Sequence, residues 1–171
     1  RPVTPDPDQP PYWTSILSEA RAALIEVERQ LDPRAVHRAA EIVATARQVV
    51  VFGLGGSSSA LAEETQYRLF RYGIGVTALK DPYLARMSAA TFKPGDALIV
   101  ISATGRTREV IDAVELARHY GAATIAITTP DGDLAQAANE RALSALAQAL
   151  VPADASHDDM VAYTQGLMDL G

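Results

Sequence analysis

Cysteine is absent from this 171-residue chain, which removes disulfides, thiolate catalysis and cysteine-ligated metals together. Long apolar runs are missing too. None approaches the roughly 18 to 20 residues that a membrane-spanning helix needs, and no basic, apolar, small-residue leader opens the sequence. The third absence is a basic cluster. Fifteen Lys and Arg stand against 21 Asp and Glu, giving a net charge of −6 and a pI near 5.0. The basic residues are scattered, so this segment is not expected to grip a phosphate backbone by itself. A P-loop is excluded because no G-x-x-x-x-G-K-[ST] string occurs. Together these absences leave a cytoplasmic, membrane-free protein as the expectation, with no cofactor and no metal. His157 with Asp158 and Asp159 is the one candidate metal cluster, and no second ligand pair has supporting spacing.

What the chain does contain is the make-up of a folded domain, 48% apolar and 21% charged. Five of its ten prolines fall in the first eleven residues, an extended composition with nothing to bury, so residues 1–13 are expected to be a linker or tail. From Thr14 the pattern turns helical, with Ile16, Leu17, Ala20, Leu24, Val27 and Leu31 on one face. Asp32-Pro33 reads as an N-cap followed by a first-turn proline, opening a second helix to Ala46.

Alternating units follow. Strands are expected at Gln48–Phe52, Ile74–Leu79, Ala97–Ile101 and Ala122–Thr128, with helices at Ala60–Arg71, Tyr83–Ala90 and Glu109–Tyr120. Near-continuous apolar strands between helices imply a parallel sheet covered on both faces. The expected fold is a three-layer α/β/α sandwich with a five-stranded parallel sheet in the flavodoxin-like order 2-1-3-4-5. Leu134–Leu150 reads locally as helix, but such a sheet calls for a short helix and a fifth strand near Leu143–Val151. A loop over Pro152–Asp159 and a helix over Met160–Leu170 complete the expectation.

Two strand ends share one plan. Phe52-Gly53-Leu54-Gly55-Gly56-Ser57-Ser58 and Ile101-Ser102-Ala103-Thr104-Gly105-Arg106-Thr107 each run from buried strand through a small, hydroxyl-rich loop into a helix. Backbone N–H groups at a helix N-terminus, joined by hydroxyl donors, satisfy the oxygens of a phosphate without many full charges. Ser57, Ser58, Ser102, Thr104 and Thr107 are the candidate hydroxyls; Gly55, Gly56, Gly105 and Arg106 are the candidate main-chain donors. In the flavodoxin-like order both loops flank the switch point where ligands settle. The first loop starts like a dinucleotide fingerprint, yet Ser58 stands where the third glycine belongs, so that signal is weak.

These two strings resemble the phosphosugar-binding loops of the SIS (sugar isomerase) domain. Asp81-Pro82-Tyr83 with Met87-Ser88-Ala89, and Gly121 with Ile125-Ala126-Ile127-Thr128, are similar to the version found in RpiR-like transcriptional regulators. The resemblance implies a sensor for a phosphorylated sugar or sugar acid, homodimeric or homotetrameric. It also implies DNA contact only through a helix-turn-helix domain that is not part of this chain. Thr104 replaces the family's second loop serine and keeps its hydroxyl. The alternative is a sugar-phosphate isomerase or related lyase, which needs a base beside a carbonyl. Glu63, Glu64 and Glu109 are the candidates, although Glu63 and Glu64 also fit a solvated helix face and Glu109 a dipole-complementing first turn.

Overall fold

The computed structural model describes residues 12–129, 132–138 and 140–143. Two helices lead, α1 (Tyr12–Gln30) and α2 (Pro33–Thr45), followed by β1 (Gln48–Gly53), α3 (Gly56–Arg71), β2 (Val76–Leu79) and α4 (Pro82–Ala89). Then come β3 (Asp96–Ser102), α5 (Arg108–His119), β4 (Ala123–Thr128), α6 (Asp133–Ala137) and β5 (Glu140–Leu143). The sheet is parallel throughout, in the order β2-β1-β3-β4-β5. Strands β2, β1, β3 and β4 form its body, and β5 adds four residues at the β4 edge.

Local chemistry starts and stops these elements where steric rules demand. Asp32 caps α2 by accepting from the Arg34 N–H at 2.9 Å, and Asp81 caps α4 by accepting from the Leu84 N–H at 2.8 Å. In both, proline fills the first turn, where no N–H is needed. Alternation along the strands then sorts the core into two layers. Val50, Phe52, Leu98 and Val100 face α4 and α5, meeting Ala85, Ala89, Ala113, Val114 and Ala117. Val49, Val51, Ile99 and Ile101 face the other way, onto Leu61 and Ala62 of α3 and Ile42 and Val43 of α2. All seven residues of β3 are buried, as a central strand covered on both faces requires.

Three sequence expectations need correction. Helix α3 begins at Gly56, four residues before Ala60. Ser57 and Ser58 therefore belong to a helical first turn and not to a preceding loop, because the N-cap role falls to Gly55. The fifth strand lies at Glu140–Leu143, ahead of the expected 143–151 stretch. The five-residue α6 uses so little chain that pairing with β4 begins at once. Finally, α1 starts at Tyr12, so helix extends into the expected 1–13 tail. The rest of that tail, the expected 152–159 loop with His157, and the expected 160–170 helix lie outside the described residues.

Candidate functional site

Strands β1 and β3 are neighbours in register, Phe52 beside Val100 and Gly53 beside Ile101. Their loops therefore leave the same edge of the sheet side by side. The chain departs from β1 to one face through α3 and from β3 to the other through α5. Two helix N-termini thus flank one sheet edge at the point where the strand order reverses, the position that ligands occupy in such sheets.

At the first loop, Gly53 ends β1 directly beneath the start of α3. A Cβ there would lie 2.0 Å from the Ser58 carbonyl oxygen and 2.5 Å from its carbon, so only glycine lets strand and helix approach this closely. Gly55 and Gly56 both have positive φ, 68° and 44°, as the chain swings into the helix. The helix ladder begins with the Ser59 N–H on the Gly55 carbonyl at 3.3 Å. The N–H groups of Gly56, Ser57 and Ser58 precede that bond, in the orphan first turn where an anion is favoured. Ser57 is exposed beside them, whereas Ser58 is buried.

The second loop is organised from within. The Ser102 hydroxyl is buried and accepts from the Gly105 N–H at 3.1 Å, and Thr104 Oγ1 accepts from the Arg106 N–H at 3.4 Å. Gly105 is thus turned inward in this structure, and its N–H holds the loop in shape. Its φ of 64° carries no Cβ penalty, and its backbone packs against Gly132, where a Cβ would come within 2.8 Å of the Gly105 Cα. The Gly105 carbonyl accepts from the Leu134 N–H at 2.9 Å, tying the loop to the start of α6. Thr107 is the N-cap of α5, yet its side chain makes no capping bond, so its hydroxyl stands beside the uncapped first turn. Thr104 and Arg106 are exposed and Thr107 is half-buried.

One group escaped the sequence reading. Thr128, at the end of β4, is the register partner of Ser102 and is 2% exposed. Its Oγ1 is a buried hydroxyl with no hydrogen-bond partner among the described residues, and it lies 2.5 Å from where a Gly105 Cβ would stand. A strand-end hydroxyl one strand over from the Ser102 loop is the signal that would have found it.

The candidate bases sit elsewhere in character. Glu63 accepts from Lys80 Nζ at 3.0 Å and Glu64 from Arg68 Nε at 2.8 Å, both on partly exposed side chains of α3. Glu109 is exposed in the first turn of α5. His37 faces Glu41 one turn along α2, and His119 packs edge-on against Tyr120 at the end of α5. Among the described residues no group of three or more His, Cys, Asp or Glu could hold a metal ion. Nor is any described helix long and apolar enough to cross a membrane.

The SIS-domain family profile matches residues 42–165, which include both loops and every strand. The chain belongs to the SIS-domain family. It is 38% identical over 135 residues to the HTH-type transcriptional regulator HexR of Pseudomonas aeruginosa, covering 79% of this chain and 47% of that one. The chain thus spans about half the length of the curated regulator it matches. The sugar isomerase domain of an RpiR transcription factor from Sphaerobacter thermophilus superposes with a TM-score of 0.73 at 25% identity, over 77% of this chain and 74% of that one. The Vibrio vulnificus NanR protein, solved in complex with ManNAc-6P, gives 0.74 at 27% identity, over 78% of this chain and 50% of that one. The SIS domain here is thus of the kind carried by RpiR-like regulators.

Proposed function

We propose that this SIS domain is the sugar-phosphate sensor of a cytoplasmic, oligomeric transcriptional regulator. The observation that carries the reading is the pair of helix N-termini at one reversal of the sheet, with serines in the first turn of α3 and threonines in the loop and N-cap that precede α5. Ser57 and the first-turn N–H groups of α3 supply donors from one side. Thr104, Thr107 and Arg106 supply them from the other, over the Ser102–Gly105 brace. The NanR relative, solved with a sugar phosphate, supports this ligand class, and the HexR relative supports the regulatory role. DNA recognition belongs in this reading to a region outside these 171 residues. Ligand in the cleft would shift the population of arrangements between copies, and that shift is what a DNA-binding part would read.

The test is thermal unfolding with a panel of sugar phosphates, the same sugars without phosphate, and NAD. A chain of this size gains about 2–4 °C in Tm per kcal/mol, so a sugar phosphate at about a hundred times its Kd raises Tm by several degrees. The dephosphorylated sugars and NAD are expected to give no shift. Ser57→Ala should abolish the response while leaving the ligand-free Tm unchanged, because Ser57 is exposed and its side chain makes no hydrogen bond among the described residues. A full response in that variant would remove the first loop from the site. Turnover of any sugar phosphate would overturn the sensor reading in favour of an isomerase or lyase.

A further inference from the structure

Beneath the second loop, donors and acceptors are unevenly matched. The Gly105 N–H donates inward to the buried Ser102 hydroxyl at 3.1 Å. In a planar trans peptide the C=O points opposite to the N–H. The Thr104 carbonyl of that peptide is therefore turned away from Ser102, and it accepts from the Thr129 hydroxyl at a long 3.4 Å. Thr128 Oγ1 is left over. It is buried without a hydrogen-bond partner among the described residues, on the strand beside Ser102 and close under Gly105. Two buried hydroxyls thus sit by one peptide that shows them an N–H, whereas a hydroxyl can place its own proton only on an acceptor.

We infer that the Thr104–Gly105 peptide is a two-position switch of the sensor site, with Thr128 as its positioning residue; this rests on the sugar-phosphate reading above. In the resting position, seen here, the Gly105 N–H is spent on Ser102. In the loaded position the peptide turns over. The N–H then faces the anion, and the Thr104 carbonyl turns inward to accept from the Thr128 and Ser102 hydroxyls. Glycine permits the movement, because turning a peptide over reverses the sign of φ at the residue after it. The resting φ of 64° at Gly105 is one that glycine adopts about as readily as its negative counterpart. The Gly105 carbonyl stays on the Leu134 N–H at 2.9 Å, which confines the movement to one peptide. Each position lacks something. The resting one leaves Thr128 unsatisfied. The loaded one adds an N–H dipole to the positive end of α5, which is unfavourable until an anion sits there. A phosphate therefore binds the loaded position better, and that differential affinity is what moves a population.

Thr104-Gly105 is the one Thr-Gly pair in the sequence. Full chain labelled at the threonine carbonyl carbon and the glycine nitrogen therefore gives a single carbonyl–amide correlation by NMR, from this peptide. The probe is the sugar phosphate that raises the wild-type Tm most, with the same sugar lacking phosphate as blank. The sugar phosphate should move the carbonyl resonance downfield, as a carbonyl gaining hydrogen bonds does, and the blank should not. Thr128→Val keeps the shape and removes the donor, so only the loaded position loses a bond. Its affinity by titration calorimetry should fall about tenfold, the worth of one hydrogen bond, while its ligand-free Tm holds or rises. Thr128→Ser keeps the donor and should bind like wild type. Thr128→Ser as weak as Thr128→Val would make the effect one of packing and would overturn the switch. Weakened binding with an unmoved carbonyl would mean that Thr128 touches the ligand directly, and would overturn it too. Wild-type affinity in Thr128→Val would overturn it while leaving the sensor reading standing. A wild-type chain that binds no sugar phosphate would bring down both.

Discussion

Thr128 and Gly53 show how much single positions decide at the candidate site. A buried hydroxyl without a partner forfeits the free energy of a hydrogen bond to water, a cost of about 1–3 kcal/mol. Thr128→Val replaces that hydroxyl by a methyl of the same shape. The expected outcome in urea unfolding is unchanged stability or a gain of up to about 1 kcal/mol. A loss of about 2 kcal/mol or more would mean that the hydroxyl is satisfied, for instance by an ordered water. Gly53 makes the opposite case. Its missing Cβ is what lets β1 end against the Ser58 carbonyl. In Gly53→Ala the clash is with helix backbone, which cannot rotate away as a side chain can. Gly53→Ala should cost about 3 kcal/mol in the same assay and displace the α3 first turn, so that the sugar-phosphate shift in Tm is lost. An alanine variant with wild-type stability would show that strand and helix separate more easily than this contact implies.

At the scale of elements, the best-defined polar contact lies at the other end of the sheet. Asp96 opens β3 with its carboxylate buried, accepting from Arg47 Nε at 3.0 Å, from Arg47 Nη2 at 2.8 Å and from the Lys93 N–H at 2.9 Å. It thereby joins the approaches to β1 and β3 before either strand begins. Burial alone pushes this carboxyl's pKa up. The hydrogen bonds from Arg47, Gln48 and Lys93, with the Arg47 charge, outweigh it and hold the pKa below the ordinary aspartate value. A pKa lowered by folding stabilises the native state above the unfolded-state value of about 3.9 and ceases to do so as pH falls through the folded value. Arg47→Ala should therefore lower stability near neutrality by about 1–3 kcal/mol, the worth of hydrogen bonds to a charged group. The same variant should show a shallower acid limb below pH about 4, read from urea midpoints across pH. An acid limb identical to wild type would detach Asp96 from the pH response.

For the molecule as a whole, the parallel sheet separates these two tasks. The Arg47–Asp96 clasp sits where the strands begin and the loops sit where they end, so Arg47→Ala should reduce stability without altering sugar-phosphate affinity. The same separation explains what could be read in advance. Near-continuous apolar strands such as Val49–Phe52 and Leu98–Ile101, punctuated by Asp-Pro caps, announced the alternation of strand and helix. The loop strings point to a candidate anion site because their chemistry is local. The start of α3 was misplaced because Gly55 and Gly56 look like loop residues, and only the close approach at Gly53 brings the helix forward onto them. The fifth strand was placed too late because local propensity favours helix across an alanine- and leucine-rich stretch. Pairing with β4 overrides that preference from Glu140 onward.

The sequence by itself determined the alternation of strand and helix, the two hydroxyl-bearing strand ends and the lack of a thiol, a P-loop string or a basic cluster in these 171 residues, since each follows from residue type and short-range spacing. Only the tertiary structure decided that the Gly105 N–H is turned onto Ser102, that the Thr128 hydroxyl close by has no hydrogen-bond partner among the described residues, and that Glu63 and Glu64 are held in ion pairs on the face of α3. Those facts depend on which strands become neighbours. Strand neighbourhood is set by crossovers of about eleven to twenty-two residues, beyond the reach of any local pattern.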